Sequence, residues 1–180
     1  MTVLEFYSLI ISLSFAWTAN PIMKERIMKT TDSEKLPDSV TVTVNYDRSL
    51  AQAFKAAKCE MYFMWHNPSI IRCPERKGKV QRTVFFRSFP CKFRSKKRLV
   101  AELDRQGFKF DPWAAAAVAE KFPKLQNTHR YTCFGEGKDG KYYSMTWCGI
   151  GGRNMDFLDN GSESFCGITK YFAIVKKEEK

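Results

Sequence analysis

The chain is short of the residues on which most enzyme chemistry depends. Histidine occurs twice in 180 residues, at His66 and His129, so an imidazole base or a histidine-rich metal site has little to draw on. The six cysteines (Cys59, Cys73, Cys91, Cys133, Cys148 and Cys166) include no C-x-x-C pair, which removes the usual spacing of zinc and dithiol redox sites. Gly149 to Gly152 is glycine-rich but lacks the lysine and the spacing of a phosphate-binding loop, and reads as turn geometry. Asp139, Asp156 and Asp159 fit no EF-hand spacing and read as turn acids. The apolar stretch Leu9 to Trp17 is too short and too rich in serine for a membrane span, so no stable span is expected. Acids are also scarce: 19 Asp and Glu face 30 Lys and Arg, a formal charge of +11. With six thiols some Cys–His pairing arises by chance, and no convergent catalytic set stands out. The expectation is a non-catalytic binding protein without cofactor or metal.

What is present in excess is concentrated. Eleven of the lysines and arginines lie between Arg72 and Arg98, with Glu75 as the one acid among them, while the charges elsewhere nearly balance. Lys79 to Phe89 reads Lys-Val-Gln-Arg-Thr-Val-Phe-Phe-Arg-Ser-Phe. Val80, Arg82, Val84 and Phe86 share one face at period two, and Phe85 shares the other with Gln81, Thr83, Arg87 and Phe89. That density of β-branched and aromatic residues predicts a strand covered at least partly on both faces, ended by Pro90. Ser95 then suits an N-cap, Leu99, Val100 and Leu103 form a stripe, and Gly107 suits the left-handed stop of a helix. Lys96, Lys97 and Arg98 fall in the first turn, where the helix dipole prefers acids, so that end suits an anion.

Around this stretch the pattern is that of an α+β (or α/β) single domain, with an N-terminal β-α-β-α-α part and a β-rich C-terminal part. Val40 to Val44 alternates as a strand. Ser49 and Gln52 have capping-box spacing before Leu50, Ala53, Phe54 and Ala57 at helical period. Cys59 to Trp65 is aromatic and suits a strand or a helix continuation. Asp111-Pro112 starts a helix through the alanine run 114–117, and Phe122-Pro123 ends it. Tyr131 to Phe134 and Lys141 to Cys148 form a hairpin across Lys138-Asp139-Gly140; Met155 to Leu158 and Tyr171 to Val175 are further strands.

The first 27 residues stand apart. Leu9 to Trp17 followed by small residues has the outline of a secretory signal, yet no Lys or Arg precedes it and an acid, Glu5, does. Codons for Lys24-Glu25-Arg26 can spell a bacterial ribosome-binding sequence ahead of Met28. Residues 1–27 are therefore read as a mis-called start or a weak signal-like segment, 28–39 as a flexible lead-in and 40–177 as the globular domain. Cytoplasmic location and reduced thiols follow from the internal start; a true signal in residues 1–19 would instead mean export and disulfides.

Five segments resemble, in this order, a family of small uncharacterised bacterial proteins, met mostly in uncultivated lineages. They are Val44-Asn-Tyr-Asp-Arg-Ser-Leu50, Gly78-Lys79-Val80, Val100-Ala-Glu-Leu-Asp-Arg-Gln-Gly107, Phe122-Pro-Lys-Leu-Gln126 and Phe172-Ala-Ile-Val-Lys-Lys177. The resemblance covers residues 40–177 and implies no activity, so it assigns no site residue. The family strand alternates acids with aliphatics, whereas Lys79 to Phe89 is basic and aromatic.

Two binding readings follow. In the first, Arg72, Arg76, Lys77, Arg82, Arg87, Lys92, Arg94, Lys96, Lys97 and Arg98 neutralise nucleic-acid phosphates while Phe85 and Phe89 stack on bases. In the second, a protein or small ligand docks on the C-terminal β region, 131–175, with Tyr142, Tyr143, Trp147 and Arg153 lining the surface.

Overall fold

A computed structural model describes residues 36–64, 67–89, 96–148, 154–158 and 171–178, without the side chains of 60–64, 127, 148 and 154–158. Leu36 onward forms one compact α+β unit. The element order is β1 (Ser39–Asn45), α1 (Leu50–Ala56), β2 (Glu60–Met64), a 3-10 turn (Pro68–Ile70), β3 (Lys79–Arg87), α2 (Lys96–Arg105), β4 (Phe108–Lys109), α3 (Pro112–Lys121), α4 (Leu125–Thr128), β5 (Tyr131–Glu136), β6 (Tyr142–Cys148), β7 (Asn154–Leu158) and β8 (Tyr171–Lys176). Residues 1–35, His66, Pro90, Ser95 and Gly149 to Gly152, on which some sequence expectations rest, lie outside the described residues.

The helix ends follow from local chemistry. Ser49 accepts from Gln52 N at 3.2 Å, and Gln52 Oε1 accepts from Ser49 N at 2.8 Å, completing the reciprocal capping box of α1. Asp111 caps α3 through Ala114 N at 3.0 Å, with Pro112 in the first turn. Gly107 ends α2 at φ +76°, a conformation costly for any residue with a Cβ.

The eight strands among the described residues make one mixed sheet in the order β1-β3-β8-β5-β6-β7-β2, with β4 paired to β8. β8 is parallel to β5 and antiparallel to β3; Val175 has Val84 of β3 on one side and Lys109 of β4 on the other. β8 lies between two helical layers. Ala173 and Val175 join the larger core with Val42, Val44, Val84, Phe86, α1 and α3, whereas Phe172 and Ile174 join a smaller core with Leu99 and Leu103 of α2. A strand buried on both faces must be apolar at successive positions, which explains the run Phe172 to Val175.

Helix α3 is buried at every position from Pro112 to Ala119. An alanine-rich helix apolar all round has no face to offer water, and its small side chains let it lie close to β1 and α1. β3 is covered on both faces toward its C-terminal end: Val84 and Phe86 enter the larger core, and Phe85 packs against the smaller. Cys59 to Trp65 resolves as a strand over Glu60–Met64, parallel to β7. Among the described residues no helix is long and apolar enough to cross a membrane.

Candidate nucleic-acid interface

The cations of the basic stretch divide by the face of β3 from which they project. Arg82 lies on the α3 side with its side chain 11% exposed. Its Nε donates to the Tyr46 hydroxyl at 3.2 Å, and Tyr46 donates to Asp111 Oδ2 at 2.5 Å. Burial and the adjacent Asp111 carboxylate push the Tyr46 phenol well above its usual range, so it stays a donor. The Arg82 guanidinium also pairs with Glu178, as does Arg76, and Arg72 pairs with Glu136 at 3.4 Å. Arg82 is therefore a structural cation, and Arg72 and Arg76 are partly neutralised by neighbours.

Lys96 corrects the expectation of three exposed cations at the start of α2. It is 7% exposed, its Nζ donates to Tyr142 O at 3.0 Å, and the ammonium sits 5.8 Å from the Phe134 ring centre. The position lies on the sheet side of the first turn, where a long aliphatic stem covers aromatic surface and the charged tip reaches a strand carbonyl. Lys97 and Arg98 on the next positions are exposed, as are Lys77 and Arg87. Lys92 and Arg94 lie outside the described residues.

Helix α2 covers the β8–β5 part of its side of the sheet and leaves the β1–β3 part open. Ser39, Thr41, Thr43, Lys79, Gln81 and Thr83 are exposed there. Thr41 and Thr83 face each other across the strands with their Oγ atoms 3.3 Å apart. At the border of this face the half-buried Phe85 ring stands edge-on to Phe108 at 5.5 Å, with Arg87 and Lys176 at 5.8 Å and 5.9 Å from its centre. The strands β1, β3 and β8 contain no acid. Phe89 is also half-buried and packs on Phe172, centre to centre 5.8 Å. The result is a polar and cationic surface bordered by one half-buried aromatic ring. Lys176 was hidden from sequence reasoning because its place beside Phe85 depends on β8 pairing with β3; the alternation of threonine with valine in β1 was the legible sign of an open face.

Two of the aromatic residues expected to line the second surface, Tyr143 and Trp147, are buried instead. Tyr143 and Trp147 are 2% and 0% exposed. Trp147 stacks on Tyr131 at 5.3 Å and 13°, and Phe54 of α1 meets it edge-on at 6.1 Å. Tyr143 donates to Asp139 Oδ2 at 2.8 Å in its own hairpin. Period two places both on the β6 face beneath the α1–α3 layer. Tyr142 is half-buried on the opposite face, and Arg153 lies outside the described residues.

No catalytic set assembles among the described residues. Cys133 is fully buried and burial pushes its thiol up, away from the thiolate a nucleophile requires. His129 is half-buried with its ring edge-on to Tyr171 at 6.3 Å. No group of three or more His, Cys, Asp or Glu among the described residues is placed to hold a metal ion. Comparison of the chain with protein-family models, with curated proteins and with solved structures finds no match.

Proposed function

We propose that the protein binds single-stranded nucleic acid, with little sequence preference, across the open face of β1 and β3. The observation that carries this reading is Phe85 at the border of an acid-free polar face, flanked by Arg87 and Lys176. A half-buried aromatic ring suits contact with one base, and the cations beside it suit the neighbouring phosphates. Lys97 and Arg98, exposed at the start of α2 over the β5–β6 side of the sheet, add positive charge beyond this face. Threonine and glutamine hydroxyls and amides on the face supply sequence-tolerant hydrogen bonds to sugar and phosphate.

The test is a fluorescence-anisotropy titration of the full chain with a short labelled single strand at low and moderate salt. Four phosphate contacts, each worth a slope of about −0.7 on single strands, predict that log affinity falls against log salt with a slope of about −3. Replacing Arg87 and Lys176 with Gln should weaken binding for every sequence alike. No binding at low salt, or binding indifferent to salt, overturns the reading.

A further inference from the structure

The outer edge of β1 carries a second binding surface, which borders the sheet face just described and shares Thr43 and Lys79 with it. β1 ends the strand order and pairs with β3 alone among the described residues. Its hydrogen-bond phase is set at both ends of the ladder: Phe86 N donates to Asp38 O at 3.0 Å, and Tyr46 N donates to Gly78 O at 2.9 Å. Between them, Val40, Val42 and Val44 turn their backbone groups toward β3, so Ser39, Thr41, Thr43 and Asn45 turn theirs outward. Lys121 confirms the phase, since its Nζ donates to Thr41 O at 3.0 Å from outside the sheet. An edge of this kind is usually blunted by proline, a bulge or an inward charge. Ser-Val-Thr-Val-Thr-Val-Asn has none of these within the strand.

A cleft of about 380 Å³ opens beside this edge, and Thr43 and Asn45 line it. Ala53 of α1 with Trp113 and Ala117 of α3 also line it. Trp113 is fixed by donating Nε1 to Arg48 O at 2.8 Å, and the two alanines leave the room that larger side chains would fill. Arg48, Lys79 and Lys121 stand around the cleft against one acid, Glu120, which is already paired with Arg48 at 3.1 Å. The cleft is thus apolar in part, positive at its rim and bordered by outward-facing backbone donors and acceptors.

We infer that this edge receives an extended acidic segment of a partner protein, added to the sheet as a further strand along Thr41–Asn45. Main-chain hydrogen bonds to Thr43 and its outward neighbours supply affinity, as in other strand additions. An aliphatic side chain enters the cleft between Ala53, Trp113 and Ala117. Carboxylates flanking it meet Lys79 and Lys121, the latter exchanging the Thr41 carbonyl for a charged partner.

The experiment is selection of displayed short random peptides on the immobilised full chain, followed by titration of the selected peptides. The expected peptides alternate aliphatic residues with Asp or Glu and contain no proline in the pairing segment. Thr43→Pro removes an outward N–H without touching the ladder to β3, and should weaken them about tenfold with the far-UV spectrum unchanged. Lys79→Glu with Lys121→Glu should weaken them further. N-methylation of a selected peptide at alternate residues should abolish binding in one phase and spare it in the other, a result that does not depend on any variant folding. The inference is overturned if selection yields no peptide, if the peptides lack acids, if both methylation phases bind equally, or if Thr43→Pro leaves affinity intact. Sedimentation showing a dimer that Thr43→Pro dissolves would name a second copy as the occupant and overturn the acidic-partner assignment.

Discussion

Tyr46 donates its phenolic hydrogen to Asp111 Oδ2 across 2.5 Å, joining the turn after β1 to the N-cap of α3. The same hydroxyl accepts from Arg82 Nε, so one buried group ties together the edge strand, the central basic strand and the most buried helix. Tyr46→Phe keeps the ring and removes the hydroxyl, leaving the buried Asp111 carboxylate and Arg82 each short of a partner. The expected cost is about 1–3 kcal/mol, read as a lower urea midpoint at neutral pH. Because burial and Asp111 raise the phenol's pKa in the folded state, its contribution is fully present below about pH 10 and is lost as the pH climbs above that value. Wild-type stability should therefore fall in alkali, and Tyr46→Phe should show a shallower fall. Some alkaline loss should remain in the variant from Tyr131, whose phenol burial also raises.

The two faces of β3 separate a structural cation from binding cations, and paired substitutions should expose the difference. Arg82→Gln leaves Glu178 and Tyr46 without the guanidinium and should cost about 1–3 kcal/mol in urea denaturation. Its effect on single-strand affinity, measured at a temperature where the variant is folded, should be small. Arg87→Gln with Lys176→Gln should leave the unfolding free energy within about 0.5 kcal/mol of wild type while weakening nucleic-acid binding and flattening its salt dependence by about two contacts. If Arg82→Gln is the substitution that flattens the salt dependence, the α3 side of the strand carries the phosphates and the interface is misplaced.

Much of this arrangement was legible where one or two residues decide it. The Ser49–Gln52 box, the Asp111-Pro112 start and the Gly107 stop are local chemistry, and each sits where its spacing predicts. The covering of β3 on both faces followed from Phe85 and Phe86 standing side by side. What could not be read was strand order, because pairing β8 between β3 and β5 depends on contacts distant in sequence. That one placement decides that Lys176 borders Phe85. Lys96 was illegible for a related reason, since its burial depends on the orientation of α2 over Phe134. The burial of Trp147 had a sign in the sequence: Tyr143, Met145 and Trp147 alternate with Ser144 and Thr146, as residues sharing a core face do.

The described thiols should differ in accessibility. Cys73 is exposed and Cys133 is fully buried between strands, where burial raises its pKa. Brief labelling of the native protein with an alkylating reagent, followed by peptide mass mapping, should modify Cys73 quickly. Cys133 should react on the timescale of unfolding, and its rate should rise in denaturant. Rapid native labelling of Cys133 would contradict the packing of β5 against α3.

The first turn of α2 offers the sharpest separation of stability from binding, because adjacent lysines have opposite roles. Lys96 is buried, spends its Nζ on Tyr142 O and lays its stem over Phe134. Lys96→Gln shortens that reach and leaves a strand carbonyl without its donor, so stability should fall by about 1–2 kcal/mol. Single-strand affinity should then change little, since the Lys96 ammonium is turned away from solvent. Lys97→Gln with Arg98→Gln removes two exposed cations from a helix N-terminus, where the dipole disfavours them by about 0.3–1 kcal/mol each. The double variant should be as stable as wild type or slightly more so, and should bind every single strand more weakly with a shallower salt slope. Urea denaturation and anisotropy on the same three proteins make the comparison. A loss of affinity in Lys96→Gln equal to that in the double variant, with stability unchanged, would mean that Lys96 reaches the phosphates itself.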